Sequence, residues 1–240
     1  MTTRFWKFCL VFFAAAWPFA FGSCGAAVSG VLERGGSGNF EVSAALSPAF
    51  AAKMREFVSF AGGDAGAPLI DAPEIARSLS GAPGMGRVSF RNAGPAGLEG
   101  PVTVARLGDF LSSPGSGGCI DFAEEADGGR MTVTLDRETV PAMLGFISPS
   151  VVYYLNFLFA PVVTGEQITE EEYLTQIGLV YNLSVAEELA RSEIRVSVTF
   201  PGPLVSVRGG TFSGAAAEFA IPLIKLLVLA QPLGYEAVWR

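Results

Sequence analysis

The stretch 39-NFEVSAALSPAFAAKMREFVSFAGG-63 holds both periodicities that decide the fold. In its first part Phe40, Val42, Ala44 and Leu46 alternate with Glu41, Ser43 and Ala45, the two-residue period of a half-buried strand. Ser47-Pro48 then changes the period. A serine hydroxyl accepts from the free amides of a helix start, and proline at the first helical position gives up an N–H that has no helical partner anyway. Phe50, Met54, Phe57, Val58 and Ala61 follow at helical spacing, and Gly62-Gly63 ends the run. A strand leading straight into an amphipathic helix sets the expectation of an α+β chain.

Downstream the same two periods recur. A short helix is expected after Asp71, with Ile75 and Leu79 one turn apart and Gly81 as its stop. Val88 and Phe90 alternate before the turn Asn92–Pro95, and Val102 and Val104 after it. Beyond the Ser/Gly/Pro loop at Ser112–Gly118, Ile120 and Phe122 pair through an Asp-Gly turn with Met131, Val133 and Leu135. Two antiparallel hairpins result. Near the C terminus Ile194, Val196 and Val198 alternate, Pro201-Gly202-Pro203 turns, and Val205 and Val207 resume, with a last strand over Tyr235–Trp239.

Between these β regions lies 139-TVPAMLGFISPSVVYYLNFLFAPVV-163, the most apolar stretch of the mature chain. Only about a dozen residues separate Pro149 from Pro161, fewer than the ~20 a membrane span requires, so the helix expected there is buried in the core, with membrane contact or a lipid-pocket wall as the alternative. Phe146, Tyr153, Tyr154, Phe157 and Phe159 are the candidate apolar pocket residues. Thr169 and Glu172 have capping-box spacing, and Ser184 and Glu187 repeat it, so helix capping accounts for the Glu170–Glu172 acids without a metal or a catalytic role. The helical segment is expected over about 139–192.

The first residues set the compartment. In 4-RFWKFCLVFFAAAWPFAFGSCG-25 a basic pair, Arg4 and Lys7, precedes an apolar run too short to span a bilayer, and Trp17-Pro18 interrupts it. The run ends on Gly22-Ser23, small enough for a signal-peptidase pocket. Phe21-Gly22-Ser23-Cys24 resembles a bacterial lipobox, with Phe21 at the place where leucine is usual. The resemblance implies removal of residues 1–23 and lipidation of Cys24. Residues 24–38, rich in Gly, Ala and Ser, then read in part as a tether, with a strand possible from Val28.

Of 240 residues half are hydrophobic and 16% charged, which suffices for a large core. The net charge of −7 becomes −9 once Arg4 and Lys7 leave with the signal, which argues against nucleic acid as a partner. Histidine is absent, which removes Ser-His-Asp, Cys-His and His-zinc chemistry together. Cys9 leaves with the signal and Cys24 is taken by lipid, leaving Cys119 no second cysteine to bridge. No catalytic constellation, metal site or cofactor site is read, and the chain is not expected to be an enzyme.

The order of signals, GSGNFEVSAALSP, VPAMLGFISPSVVYYLNFLFAPVVTGEQITEEEYL, IRVSVTFPGPLVSVRGG and AIPLIKLLVLAQPLGYEAVW, resembles a set of small spirochaete lipoproteins. More remotely it resembles LppM-like envelope lipoproteins. The LppM-like resemblance implies an α+β domain with an apolar cavity and a link to envelope lipids. The expectation is a signal over 1–23, a lipidated tether over 24–38, and one α+β domain over 39–240. Its sheet is mostly antiparallel, with the helical segment packed on it. The protein is expected on the cell envelope, membrane-anchored through Cys24 and facing the periplasm, binding an apolar or lipidic ligand. The alternative is a structural module for an envelope protein partner.

Overall fold

The computed structural model describes residues 25–60, 64, 66–113, 118–147 (backbone only at 144–147) and 155–240. It is an α+β fold with two sheets, mostly antiparallel. Strands β1 (Gly25–Leu32), β2 (Gly38–Ala45), β3 (Met85–Val88), β4 (Arg91–Asn92) and β5 (Gly97–Val104) are joined in the larger sheet by β8 (Glu193–Thr199), β10 (Gly210–Ser213) and β11 (Ala216–Pro222). The path runs β10-β11-β8-β1-β2-β5-β3, with β4 also on β5. The smaller sheet, β6-β7-β12-β9, takes β6 (Ile120–Glu125), β7 (Gly128–Leu135), β9 (Leu204–Arg208) and β12 (Leu233–Trp239).

The residues expected in part as a tether are strand from Gly25 onward. β1 pairs antiparallel with β2 and parallel with β8, which puts it in the middle of the larger sheet. Its small, uncharged residues suit that place. Gly30 faces Phe40 on β2, and a Cβ at Gly30 would collide with the Phe40 ring and the Asn39 carbonyl.

Register aligns the apolar residues in rows across the sheet. Leu98, Ala44, Ala26, Ile194 and Ile221 form one row, and Val42, Val28, Val196 and Phe219 the next. The opposite face carries Glu41, Ser43, Ser29, Arg195, Ser197 and Glu218, as strict alternation requires of a face in water.

The sequence pattern suggested one sheet, and the chain makes two. At Pro201-Gly202-Pro203, after β8, the chain leaves the larger sheet and enters the smaller one as β9. Prolines cannot donate to a ladder, so β8 ends there instead of turning back on itself. The sheets meet over Leu32, Val198, Phe200, Leu204, Phe219 and Trp239. The Trp239 ring lies 5.1 Å from Phe200 and 5.9 Å from Phe122, centroid to centroid.

Helix α1 (Pro48–Phe60) follows β2, with the Ser47 hydroxyl accepting from the Phe50 amide at 3.3 Å. α2 (Ala72–Ser80), capped by Asp71, packs against β3 and β5, and the short α3 (Leu107–Leu111) lies against β6. α4 (Thr139–Ile147), α5 (Pro161–Thr164), α6 (Glu170–Val180) and α7 (Leu183–Arg191) fill the expected helical segment, and α8 (Leu223–Val228) follows β11. α1, α7 and α8 meet the larger sheet at one end, and α3 lies at the other. The Thr169–Glu172 capping box forms as expected. The second cap does not. Asn182, not Ser184, caps α7, its side-chain oxygen accepting from the Val185 amide at 3.0 Å, because the helix starts at Leu183. Among the described residues no helix is long and apolar enough to cross a membrane.

Candidate functional site: a half-buried sheet floor and an apolar helical end

The described residues form three core clusters. One lies among the helices, one between the sheets, and one under α2. Between them lies the middle of the larger sheet. Ala26, Val28 and Ile194 point to the same inner face as the cores, yet belong to none of the three and are only half-buried. Val42 and Ala44 touch the α2 cluster from its margin, and Val196 the inter-sheet cluster. The centre of a wide sheet is ordinarily the best-covered part of a domain. Among the described residues it is instead an apolar strip half-buried between the three clusters, and apolar side chains of this kind line small-molecule sites.

A second feature lies among the helices. The Tyr173 side chain is fully buried, and its hydroxyl donates to the Leu158 carbonyl at 2.9 Å. Tyr181 donates to the neighbouring carbonyl of Phe157. Burial raises both phenols above their ordinary range, Tyr181 to about 12, so both remain neutral donors. Together they hold the chain at 157–158 against α6. An open hollow of about 250 Å³ beside this contact is lined by Leu158, Phe159, Glu166, Tyr173, Gln176, Ile177 and Val180.

Of the five expected pocket residues, two are placed. Phe157 is half-buried, its ring 4.3 Å from Phe57 in an edge-on contact and 5.4 Å from Tyr181. Phe159 is 56% exposed at the rim of the hollow. The expected continuous helix up to Pro161 does not form, since helical geometry ends at Phe157 and Phe159 takes a left-handed backbone (φ 50°). The two phenylalanines therefore point to different surroundings. Phe146 lies on the backbone of α4, and its side chain is outside the described residues, as are Tyr153, Tyr154 and the lipidation candidate Cys24. Tyr173 and Tyr181 were legible only as part of the apolar face of a helix, and the floor residues carried no signal beyond alternation.

The acidic groups have local duties. Glu172 accepts from the Thr169 amide at 2.8 Å, and Glu124 from the Gly35 amide at 2.7 Å. Among the described residues no three potential metal ligands come together. Asp136 caps α4, accepting from the amides of Glu138 and Thr139 at 2.9 and 2.8 Å. These bonds hold its carboxyl below the ordinary carboxylate range, and backbone and hydroxyl bonds from Thr169 do the same for Glu172. A folded value below the unfolded one means stability that is complete at neutral pH and lost as pH falls through the depressed values. Thermal midpoints should therefore drop on acidification below about pH 4. The pair Asp136→Asn and Glu172→Gln, which keeps acceptors but removes titration, should flatten that slope.

Cys119 is 3% exposed, with its sulfur 3.7 Å from the Met143 sulfur. Burial pushes the thiol above its ordinary value, which disfavours the reactive thiolate. A maleimide should label Cys119 only after denaturant is added, and labelling of the native protein at the rate of an exposed thiol would contradict this placement.

No protein-family model matches the chain, and no curated protein matches it. Among solved structures, the folded domain of LppM from Mycobacterium tuberculosis, determined by NMR, is similar at a TM-score of 0.39 and 12% identity. The match covers 94% of this chain and 95% of that one.

Proposed function

We propose that this protein is an extracytoplasmic lipoprotein, held on the envelope membrane by acyl chains on Cys24, that binds an apolar, lipid-like ligand. The observation that carries the binding reading is the half-covered floor of Ala26, Val28 and Ile194 in the middle of the larger sheet. A ligand chain laid along it would cover apolar surface that the three cores leave partly exposed. Each methylene so buried contributes about 0.8 kcal/mol, so a chain of ordinary acyl length needs little polar recognition. The anchor rests on the signal-like residues and the Gly22-Ser23-Cys24 junction. The role is binding, with no catalytic step and no cofactor assigned.

The test is purification of the acylated protein from its own membranes in mild detergent, followed by extraction and mass spectrometry. The expected result is a co-purifying lipid in addition to the chains on Cys24, lost in Val28→Lys or Val42→Lys while β-sheet circular dichroism is kept. Protein that carries no lipid, and takes up none from mixed vesicles, would overturn the binding reading. An unmodified Cys24 at the mature N terminus would overturn the anchor.

A further inference from the structure

Six large apolar side chains stand exposed at the helical end of the molecule. Phe60 is 92% exposed, Leu179 84%, Leu183 74%, Val180 58%, Phe159 56% and Phe57 46%. Three of them join through buried or half-buried neighbours: the Phe57 ring meets Phe157, Phe157 meets Tyr181, and Val180 and Phe159 line one hollow. Phe60, Leu179 and Leu183 stand at helix ends. Large apolar side chains exposed together mark surfaces that meet a partner or a membrane.

The strand register shows where this patch lies relative to the N terminus. Gly25 pairs with Ala45, three residues before α1, and with Glu193, two residues after α7. Both helices therefore meet the sheet at the end where β1 starts, at Gly25. α1 and α7 are about 20 and 14 Å long, and Phe60 and Leu183 stand at their ends away from the sheet. β1 begins at Gly25, one residue along the chain from the proposed anchor.

We propose that this apolar helical end lies in the bilayer surface and sets one orientation for the anchored protein. The inference rests on the anchor reading above. With the anchor one residue from β1, tilting toward the helical end brings Phe60, Leu179 and Leu183 to the lipid. The occupant is the lipid bilayer, because the chain enters the structure at this end and its acyl groups would enter the membrane there.

The acylated chain, bound to phosphatidylcholine and phosphatidylglycerol vesicles with brominated acyl chains, provides the test. Trp239, buried between the sheets, serves as the internal reference. In Phe60→Trp and Leu183→Trp the added emission should shift to the blue and be quenched by the bromolipid. In Phe212→Trp, on edge strand β10, it should not. If the acylated chain floats with vesicles but Phe60→Trp and Leu183→Trp respond no more than Phe212→Trp, the orientation is wrong and the anchor stands. If it does not float, both fail. A blue shift that grows with protein concentration, without lipid, would assign the face to a second copy of the chain and overturn the proposal.

Discussion

Replacing Arg137 by alanine is expected to lower the unfolding free energy by about 3 kcal/mol, the largest loss for any charged residue among those described. Its guanidinium donates to three backbone carbonyls: Leu229 at 3.0 Å, Val228 at 2.8 Å and Glu166 at 2.8 Å. Two of these close the C-terminal end of α8, where Leu229 takes a left-handed backbone and helix carbonyls lack helical partners. The third ties in the loop before α6. One planar fork thus joins the turn after β7, α8 and the helical segment, three regions far apart in sequence. Arg137→Lys should recover only part of the loss, because an ammonium cannot meet three acceptors spread over a plane. Urea unfolding measures it, and a shift in midpoint of less than a few tenths of a kilocalorie per mole would show that water replaces the fork.

Tyr173→Ala is expected to cost about 4 kcal/mol, through the loss of a fully buried ring and the cavity it leaves. Tyr173 has no exposed surface and lies in the largest core cluster with Met54, Val140 and Ile177. Tyr173→Phe keeps the ring but leaves the Leu158 carbonyl without its donor, at a cost of about 1.5 kcal/mol. The two variants separate packing from hydrogen bonding. The phenylalanine variant should also loosen the 157–159 segment, seen as faster amide exchange at Phe159, whose N–H donates to the Asn156 carbonyl at 2.9 Å. Equal stability of the two variants would mean that the ring contributes little.

Much of the secondary structure was legible because it is written locally. Alternation at 40–46, the Ser47-Pro48 start of α1, the Asp71 cap and the Thr169–Glu172 box each depend on a few neighbouring residues. The misreadings share one cause. GAAVSGVL over 25–32 has the composition of a tether, and it is a strand because β2 pairs with it throughout and β8, more than 160 residues later, pairs with it from Gly25 to Val31. Phe157 and Phe159 belong to one apolar run, and the left-handed residue at 159 turns them to different surroundings. The candidate site was less legible than the fold. Val28 and Val198 alternate alike, but one is half-buried at mid-sheet and the other lies in the inter-sheet core.

The amino-acid sequence by itself determined the α+β class, the Asp71 and Thr169 helix caps and the two hairpins. These follow from periods, caps and residue types that need no distant partner. Only the tertiary structure decided that β1 is central, that the prolines at 201–203 send the chain into a second sheet, and which apolar residues are covered. Burial depends on what packs from far along the chain, and Leu183 at 74% exposed and Leu189 at 6% sit on the same helix.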